Sequence, residues 1–278
     1  MQLRELNLRP FRNFEKKNLC FGSAKTLIHA DNGRGKSNIL EAISYLSLGK
    51  SVRGAKDSQV IPHTGSYFDV RGVFCKGNTK KTIRIFYGKQ EGKKVFLEKE
   101  ALPKISDLVG EFRSVHFSPE DVSLVLRFPK QRRRLLDILI SQARPTYLKD
   151  LQKYRRVLSQ RNKLLRDSRK DAVNARLSQG IDAWDKQVAE YGGAIRLSRI
   201  NAIESMRADF INYYTMFCPK GECASLDYIG PKAKEIDSLI SEIAEEITKT
   251  RRKEQQRGYT LIGPHRDDVL FRINGQPA

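Results

Sequence analysis

The chain has 278 residues, enough for one large domain or two ordinary ones, each with its own core. Its 52 lysines and arginines exceed its 32 aspartates and glutamates by 20, and a surplus of this size favours polyanionic partners. No apolar stretch approaches the length of a membrane span and the N-terminus lacks the apolar core of a signal peptide, so we expect a cytoplasmic protein with no membrane partner.

The first half of the chain reads mainly as strands. Short apolar runs at residues 3–8 and 19–28 lie on either side of Phe11-Arg12-Asn13-Phe14. Further on, segments alternate apolar and polar residues between turn signals, which predicts an antiparallel meander with strands at 67–75, 82–87 and 94–98. A short strand at 114–117 is predicted to lead into a helix that starts with Ser118 as N-cap and Pro119 as first residue.

A phosphate-binding loop is the most informative feature of this half. The residues Ala30-Asp31-Asn32-Gly33-Arg34-Gly35-Lys36-Ser37 follow the apolar run Thr26–Ile28 and precede an amphipathic run, which is the strand, glycine loop and helix order of a P-loop. Small residues let successive N–H groups turn inward toward an anion, and the positive end of the helix points at the same place. Lys36 would reach the outer phosphates of ATP and the Ser37 hydroxyl would hold Mg²⁺.

One position departs from the strict P-loop pattern, because Ala30 stands where the first glycine is expected. Alanine is acceptable there if the backbone keeps a negative φ. The alternative is a chance glycine loop between a strand and a helix.

Between residues 119 and 257 the apolar period becomes helical. One long helix is indicated by leucines from Leu148 to Leu165, a second by the spacing from Ile181 to Ile195, and a third by isoleucines and leucines from 236 to 247. The polar stretch 167–180 is predicted to be the turn between the first two. We expect these helices to form a helical lobe spanning 119–257.

Strand character returns at 259–262 and 269–273, with Gly263-Pro264-His265-Arg266-Asp267-Asp268 between them. Asn274-Gly275 is a strong hairpin signal, yet only three residues follow it. An unpaired strand at that point is an improbable end for a sheet, so we expect the chain to stop inside a domain. The predicted ATPase lobe comprises 1–118 and 258–278.

The basic residues are clustered rather than spread, at 130–134, 153–170 and 249–257. A solvated helix face could explain any single cluster, but the total favours nucleic acid as partner. An anionic membrane would require an exposed amphipathic helix or a lipidation signal, and neither is found.

The four cysteines do not suggest a metal site. Only Cys218 and Cys223 are close in sequence, and no further Cys or His lies near them. We therefore predict reduced thiols and no metal other than the nucleotide's Mg²⁺.

Taken together, these segments resemble the RecF family, bacterial recombination mediators whose ATP-binding-cassette head is related to that of SMC proteins. The resemblance is carried by motifs in family order over nearly the whole chain: Phe11-Arg12-Asn13-Phe14, the P-loop extended through Ile43, Leu46–Ser51, Phe117–Asp121, Gln131–Asp137, Tyr154–Leu158 with Gln160–Asn162, Trp184-Asp185 and Gly263–Asp268. Only the P-loop is specific by itself.

The resemblance implies an α/β fold, a P-loop ABC-type ATPase head with a mixed sheet plus an antiparallel meander and an inserted α-helical lobe. It also implies ATP and Mg²⁺ as cofactors, an ATP-dependent homodimer in full-length members, and sequence-independent binding of gapped or junction DNA. Family members act with RecO and RecR in loading RecA during DNA damage repair, the SOS response and replication-fork recovery.

Site residues follow from the motifs and the resemblance. The predicted ATP-binding residues are Ala30, Asp31, Asn32, Gly33, Arg34, Gly35, Lys36, Ser37 and Asn38, with Arg12 and Asn13 beside the nucleotide by family analogy. By the same analogy, the loop 118–121 would sense the γ-phosphate. The candidate DNA-binding residues are Arg132, Arg133, Arg134, Arg155, Arg156 and Arg161.

The resemblance also bears on catalysis. The family's ATPase requires a signature motif and a Walker B aspartate followed by an acidic residue, and their positions lie beyond Ala278. Asp267 and Asp268 are no substitute, because Pro264 and His265 interrupt the approach to them. A turn or a contact between lobes is the expected role of these aspartates. We therefore predict that this chain binds ATP as a monomer without turnover and assign no catalytic residue.

Two other functions fit parts of the pattern. One is a DNA-binding scaffold that does not depend on nucleotide, which the altered first position of the P-loop would permit. The other is a different SMC-like head, although roughly 135 residues of short helices cannot make the long coiled coil of those proteins.

Overall fold

A six-stranded antiparallel sheet organises residues 1–117 in the computed structural model of the chain, which describes all residues except 23–24, 127, 171–174, 219–220, 232 and 234. Its strands are β1 (Gln2–Leu8), β2 (Lys17–Cys20), β3 (Tyr67–Lys76), β4 (Thr79–Gly88), β5 (Gly92–Leu97) and β6 (Glu100–Ala101). The spatial order is β2-β1-β3-β4-β5-β6, so the predicted meander is confirmed in β3, β4 and β5.

Helix α1 (Lys36–Leu48) lies on one face of this sheet. Its residues Ile39, Tyr45 and Leu46 pack into a core with Leu8 and Phe68 from the strands, and all five are at most 4% exposed. Because side chains alternate along a strand, this face is apolar while the opposite face is polar. The core thereby anchors the helix that begins directly after the glycine loop.

Gly72 lets α1 approach the sheet. A Cβ atom at this position of β3 would lie 2.2 Å from a methyl carbon of Leu46, closer than any real contact. Glycine in a strand often marks such a close approach of another element.

Two predicted strands are absent from the structure and a third is shorter than expected. In the run 19–28 the strand β2 ends at Cys20, the described residues after it (21–22 and 25–28) form no strand, and Leu27 is 91% exposed. Residues 114–117 and 259–262 also form none. The backbone of these segments has no neighbouring strand to pair with in the part of the chain that the structure describes, and β-propensity alone cannot make a strand without one.

The second unit, residues 118–278, is mainly helical. It contains α2 (Ser123–Leu126), α3 (Pro129–Ala143), α4 (Pro145–Lys170), α5 (Ala175–Phe217) and α6 (Ile236–Arg257), together with a sheet of β7 (Ala224–Ile229), β8 (Asp268–Ile273) and β9 (Gln276–Pro277) in the order β7-β8-β9. The three long predicted helices are confirmed in α4, α5 and α6. Part of the predicted turn at 167–180 is helix, and its residues 171–174 lie outside the described residues.

The C-terminal segment differs from the prediction in two respects. Residues 258–278 were expected in the ATPase lobe, but β8 pairs with β7 and the segment belongs to the second unit. The Asn274-Gly275 hairpin does have a partner strand, the two-residue β9. No sequence signal had indicated β7, which supplies the pairing that places the segment.

Buried arginines hold the loop before β8. Arg199 donates to the carbonyl oxygen of Pro264 at 2.6 Å, and Arg196 reaches both carboxylate oxygens of Asp267 at 3.0 and 3.1 Å. Asp268 accepts from Arg132 at 2.7 and 2.9 Å. Both aspartates are therefore bound by arginines of their own unit, and their part in this turn is structural.

In the same loop, His265 lies against Tyr154, with 2.7 Å between its Nδ1 and the hydroxyl oxygen. Burial lowers the pKa of His265 to about 4, and the charges of Arg266 and Arg133 act in the same direction, while Thr260 and Asp267 oppose them. Unfolding would restore the ordinary pKa of about 6.5.

We expect the free energy of unfolding to fall as the pH drops from about 6.5 to 4, because the unfolded chain then binds a proton that folded His265 refuses. Urea unfolding at several pH values measures this slope. A His265→Gln variant should have a flatter slope over that interval and a lower stability at pH 7. An unchanged slope in the variant would contradict the assignment.

Candidate nucleotide-binding site

The glycine loop ends in a left-handed turn that opens into α1. Gly33 has φ +81° and Gly35 has φ +97°, conformations that side chains other than glycine rarely adopt. The helix begins at Lys36 with Gly35 as N-cap, and Asn38 and Ile39 donate to the carbonyl of Gly35. Within the described residues, the N–H groups of Gly35, Lys36 and Ser37 donate no hydrogen bond, as is usual at a helix N-terminus. Such N–H groups are suited to phosphate oxygens.

The Lys36 side chain folds back over this loop. Its Nζ donates to the carbonyl oxygens of Ala30 at 2.6 Å and Asp31 at 2.9 Å. An ammonium group has three donors, so one remains for an anion at the same place. Ser37, on the next position of α1, is exposed.

The turn 11–14 supports the loop from the side. Phe11 and Phe14 exchange backbone hydrogen bonds of 2.8 and 2.9 Å, and Arg12 between them has φ +53°. Asn13 donates to the carbonyl of Arg34 at 3.3 Å and accepts from the Asn38 amide at 2.9 Å. Asn13 and Asn38, both predicted ATP-binding residues, thus connect the turn, the loop and α1.

Arg12 is held by a carboxylate buried in α1. Its Nε and Nη2 donate to the two oxygens of Glu41 at 2.9 and 2.7 Å, and Nη1 donates to the carbonyl of Gln59 at 2.8 Å. Glu41 is fully buried and also accepts from Ser51. Burial alone would raise the pKa of Glu41, but the hydrogen bonds from Arg12 and Ser51 and the charges of Arg12 and Arg53 outweigh it, so that this pKa lies below its usual value.

Sequence reasoning did not assign a role to Glu41. The sequence did contain one indication of this role, because Glu41 lies between Leu40 and Ala42 in a predicted amphipathic helix. If this part of the helix is buried, the carboxylate requires a cationic partner. Nothing in the sequence identified Arg12, 29 residues away, as that partner.

The residues present fit a bound triphosphate with Mg²⁺. A Cβ at Gly35 would lie 2.6 Å from the Asn13 carboxamide oxygen and 2.7 Å from the Phe14 ring, so that only glycine lets the loop lie this close to the turn. The unbonded N–H groups, the Lys36 ammonium and the Ser37 hydroxyl are the donor and ligand types that phosphate and Mg²⁺ take. The loop 118–121, which was predicted to sense the γ-phosphate, is a helical turn in which the Ser118 N–H donates to Asp121 at 2.7 Å.

The predicted DNA-binding arginines divide into two groups. Arg155 and Arg156 are exposed on α4, and Arg134 is exposed on α3. Arg161 is 0% exposed and donates to Asp185, Glu254 and Thr260 at 2.6 to 2.7 Å.

The prediction is therefore wrong for Arg161, because a guanidinium enclosed by its own carboxylates cannot reach a phosphate. It is also wrong for Arg132, which is 9% exposed and paired with Asp268. Arg133 is half-buried, and its Nη1 donates to the Asp267 carbonyl at 2.7 Å.

Two negative findings apply to the described residues only. No helix in the described ranges has both the length and the apolar composition needed to cross a bilayer. Outside the masked positions, no three His, Cys, Asp or Glu side chains are grouped so that they could hold a metal ion.

We expect Gly35→Ala to abolish nucleotide binding, because the new methyl group meets Asn13 and Phe14 and the backbone has φ +97°. Gly54→Ala is the matched control, since Gly54 has φ +77° but nothing within 4 Å of the added carbon. Binding of a fluorescent ATP analogue, with circular dichroism to verify folding, compares the two variants. Equal affinity in both would contradict the role of the close packing between Gly35 and the turn 11–14 in forming the site.

Comparison with known proteins gives matches that cover almost the whole chain. The family model described as an AAA domain matches residues 5–260. The DNA replication and repair protein RecF of Chloroherpeton thalassium is 35% identical over 280 residues, covering 99% of this chain and 75% of the relative. RecF of Thermoanaerobacter sp. (strain X514) is 31% identical, with 99% and 75% covered.

One solved structure that matches is that of the recombination mediator protein RecF with ATPrS, described as part of the RecFOR pathway. It superimposes with a TM-score of 0.92 at 31% identity, and the match covers 99% of this chain and 74% of that one. A structure of RecF with ATP gives a TM-score of 0.91. Sequence and backbone thus agree over almost all of the 278 residues, and the chain belongs to the RecF family of DNA replication and repair proteins.

Proposed function

We propose that this protein binds ATP with Mg²⁺ at the loop 30–38 and binds DNA through exposed arginines of its second unit, in the service of DNA repair. The observation that carries the nucleotide assignment is the Lys36 ammonium, held at 2.6 and 2.9 Å by two loop carbonyls beside the unbonded N–H groups of α1. The RecF relatives solved with ATP and with ATPrS support it.

Each residue of the site has a physical task. Lys36 brings a positive charge to the outer phosphates, and the N–H groups of the loop donate to phosphate oxygens. Ser37 supplies an oxygen ligand, and Mg²⁺, when bound, neutralises phosphate charge. Asn13 and Asn38 keep the loop in place, while Glu41 orients Arg12 at the edge of the site.

DNA binding is proposed on charge and exposure. Helix α4 presents Lys149, Lys153, Arg156 and Lys163 at spacings of three to seven residues, all exposed, with Arg155 63% exposed beside them. Such a stripe neutralises phosphates and does not read bases, so binding should be independent of sequence. The preference for gaps or junctions, the ATP-dependent homodimer and the action with RecO, RecR and RecA are extended to this chain from the family resemblance.

Substitution of Lys36 and of Ser37 should affect ATP through different physics. Lys36→Ala should weaken ATP binding by about 10- to 100-fold with or without Mg²⁺, since it removes a charged hydrogen-bond donor. Ser37→Ala should remove only the additional affinity that Mg²⁺ provides. Calorimetric titration with ATP, with and without Mg²⁺, measures both effects, and Lys104→Ala, an exposed lysine of the same unit, is the control.

The Lys36→Ala variant, titrated with ATP and then with DNA, also tests the alternative of a DNA-binding scaffold that does not depend on nucleotide. Wild-type affinity for ATP in Lys36→Ala would contradict the P-loop assignment. DNA binding that persists in a protein with no ATP affinity would favour the scaffold.

Neutralising Arg155 and Arg156 together should weaken all duplexes alike. Because each lost phosphate contact removes a released counterion, the slope of log affinity against log salt should flatten by about one to two units. Fluorescence anisotropy with two duplexes of unrelated sequence measures this. A control that removes two charges elsewhere is Lys16→Ala with Lys186→Ala, both exposed lysines. Loss confined to one sequence, or a slope near zero in the wild type, would contradict backbone binding.

A further inference from the structure

The face of the six-stranded sheet opposite to α1 carries aligned polar and aromatic side chains. The strand register places Asn7, Arg71, Arg84 and Phe96 in one row across β1, β3, β4 and β5. The next row contains Asp69, Phe86 and Lys94, with Arg9 bonded through its N–H to the Asp69 carbonyl. The residues between them in sequence, such as Val70 and Ile85, are fully buried in the core on the other face. We call this the outer sheet face.

Like charges oppose one another on the outer sheet face. Arg71 is the direct cross-strand neighbour of Arg84, an arrangement that destabilises a sheet unless an anion compensates it. Asp69 does not compensate both, because its two oxygens are occupied by the Arg84 guanidinium at 2.5 to 3.0 Å. Among the described residues, the exposed Arg9, Arg71 and Lys99 have no ion-pair partner.

These charges line a depression of about 580 Å³. It contains four cations, Arg9, Arg71, Arg84 and Lys99, against two carboxylates, Asp69 and Glu98. Asp69 is used by Arg84, and Glu98 accepts from the backbone N–H of Thr82 at 2.7 Å. The depression therefore presents a net positive charge that suits phosphodiester groups.

Aromatic rings lie beside the cations. Tyr67, 42% exposed, stacks on Phe86 with 5.7 Å between centroids and 28° between planes. The Arg84 guanidinium lies over the Phe96 ring at 5.7 Å. Rings and guanidinium planes among cations on a sheet are the features on which unpaired bases stack, whereas a duplex keeps its base faces covered.

From this juxtaposition we propose that the outer sheet face binds single-stranded DNA, with Arg9 and Arg71 on the phosphates and Tyr67 stacked on a base. The inference rests on the proposed DNA function and adds to it a second surface, separate in sequence from the α4 stripe. A protein with one surface for a duplex and another for a single strand would be equipped for DNA that contains both.

The test compares single strand with duplex. Anisotropy titrations would use a fluorescein-labelled 15-mer of thymidine and a 15-base-pair duplex of mixed sequence. In Arg9→Ala with Arg71→Ala, the salt slope for the single strand should flatten by about 1.4 units, because each phosphate contact contributes about 0.7. Tyr67→Ala should weaken the single strand at least about fivefold, whereas Tyr67→Phe, which keeps the ring, should retain the affinity. Duplex affinity should stay unchanged in all three.

The controls separate this inference from the proposed function. Lys104→Ala with Lys186→Ala removes the same charge at exposed positions that belong to no strand of the outer sheet face and do not line its depression, and thermal unfolding verifies that each variant is folded. If single-strand binding falls equally in this control, the inference is wrong. It is also wrong if none of the sheet variants changes single-strand binding. Either result leaves the proposed duplex binding through Arg155 and Arg156 standing. If the wild type binds neither DNA, the proposed DNA function itself fails.

Discussion

Pairs between guanidinium groups and buried carboxylates hold together the elements of each unit. In the first unit, the fork between Arg12 and Glu41 ties the turn 11–14 to the P-loop helix. In the second, Arg161 joins α4 to Glu254 of α6, and Arg196 ties α5 to Asp267 before β8. Removal of one partner from such a pair leaves a buried charge, at a cost of about 3–5 kcal/mol. The pairs therefore act as constraints on geometry more than as sources of stability.

The glycine loop depends on neighbouring elements for its position. Residues 25–30 have no strand partner in the described part of the chain, so the loop is positioned from its C-terminal side. There α1 is seated on the sheet where Gly72 lets Leu46 approach, and Asn13 bonds the loop at Arg34. An anion site built from backbone N–H groups needs this support, because displacement by about 1 Å weakens the alignment of the donors.

Because of such pairs, the chain has more basic residues than are available on its surface for partners. Part of the surplus of 20 consists of arginines that serve the interior, among them Arg132, Arg161 and Arg199. The exposed charges include those on one side of α4 and on the outer sheet face, together with others such as Arg252 and Lys253 of α6. Both surfaces have the charge to attract a polyanion over long range, and the exposed Tyr67 of the sheet is the basis of our proposal that one takes a duplex and the other a single strand.

The sequence by itself determined the features that depend on local pattern. The strands of the meander, the three long helices and the presence of a helix after the glycine loop follow from periodicity, turn residues and the glycine loop itself. The order of its motifs was sufficient to identify the family.

Tertiary structure decided where strands pair and where charges lie. Residues 25–28 and 259–262 have strand-like composition but no strand, since pairing depends on a neighbour that composition does not reveal. Likewise, Arg161 and Arg156 lie in one basic run five residues apart, yet one is fully buried and the other exposed. The physical reason is the helical period together with partners distant in the chain: Glu254 and Thr260 surround Arg161, and no local rule places them there.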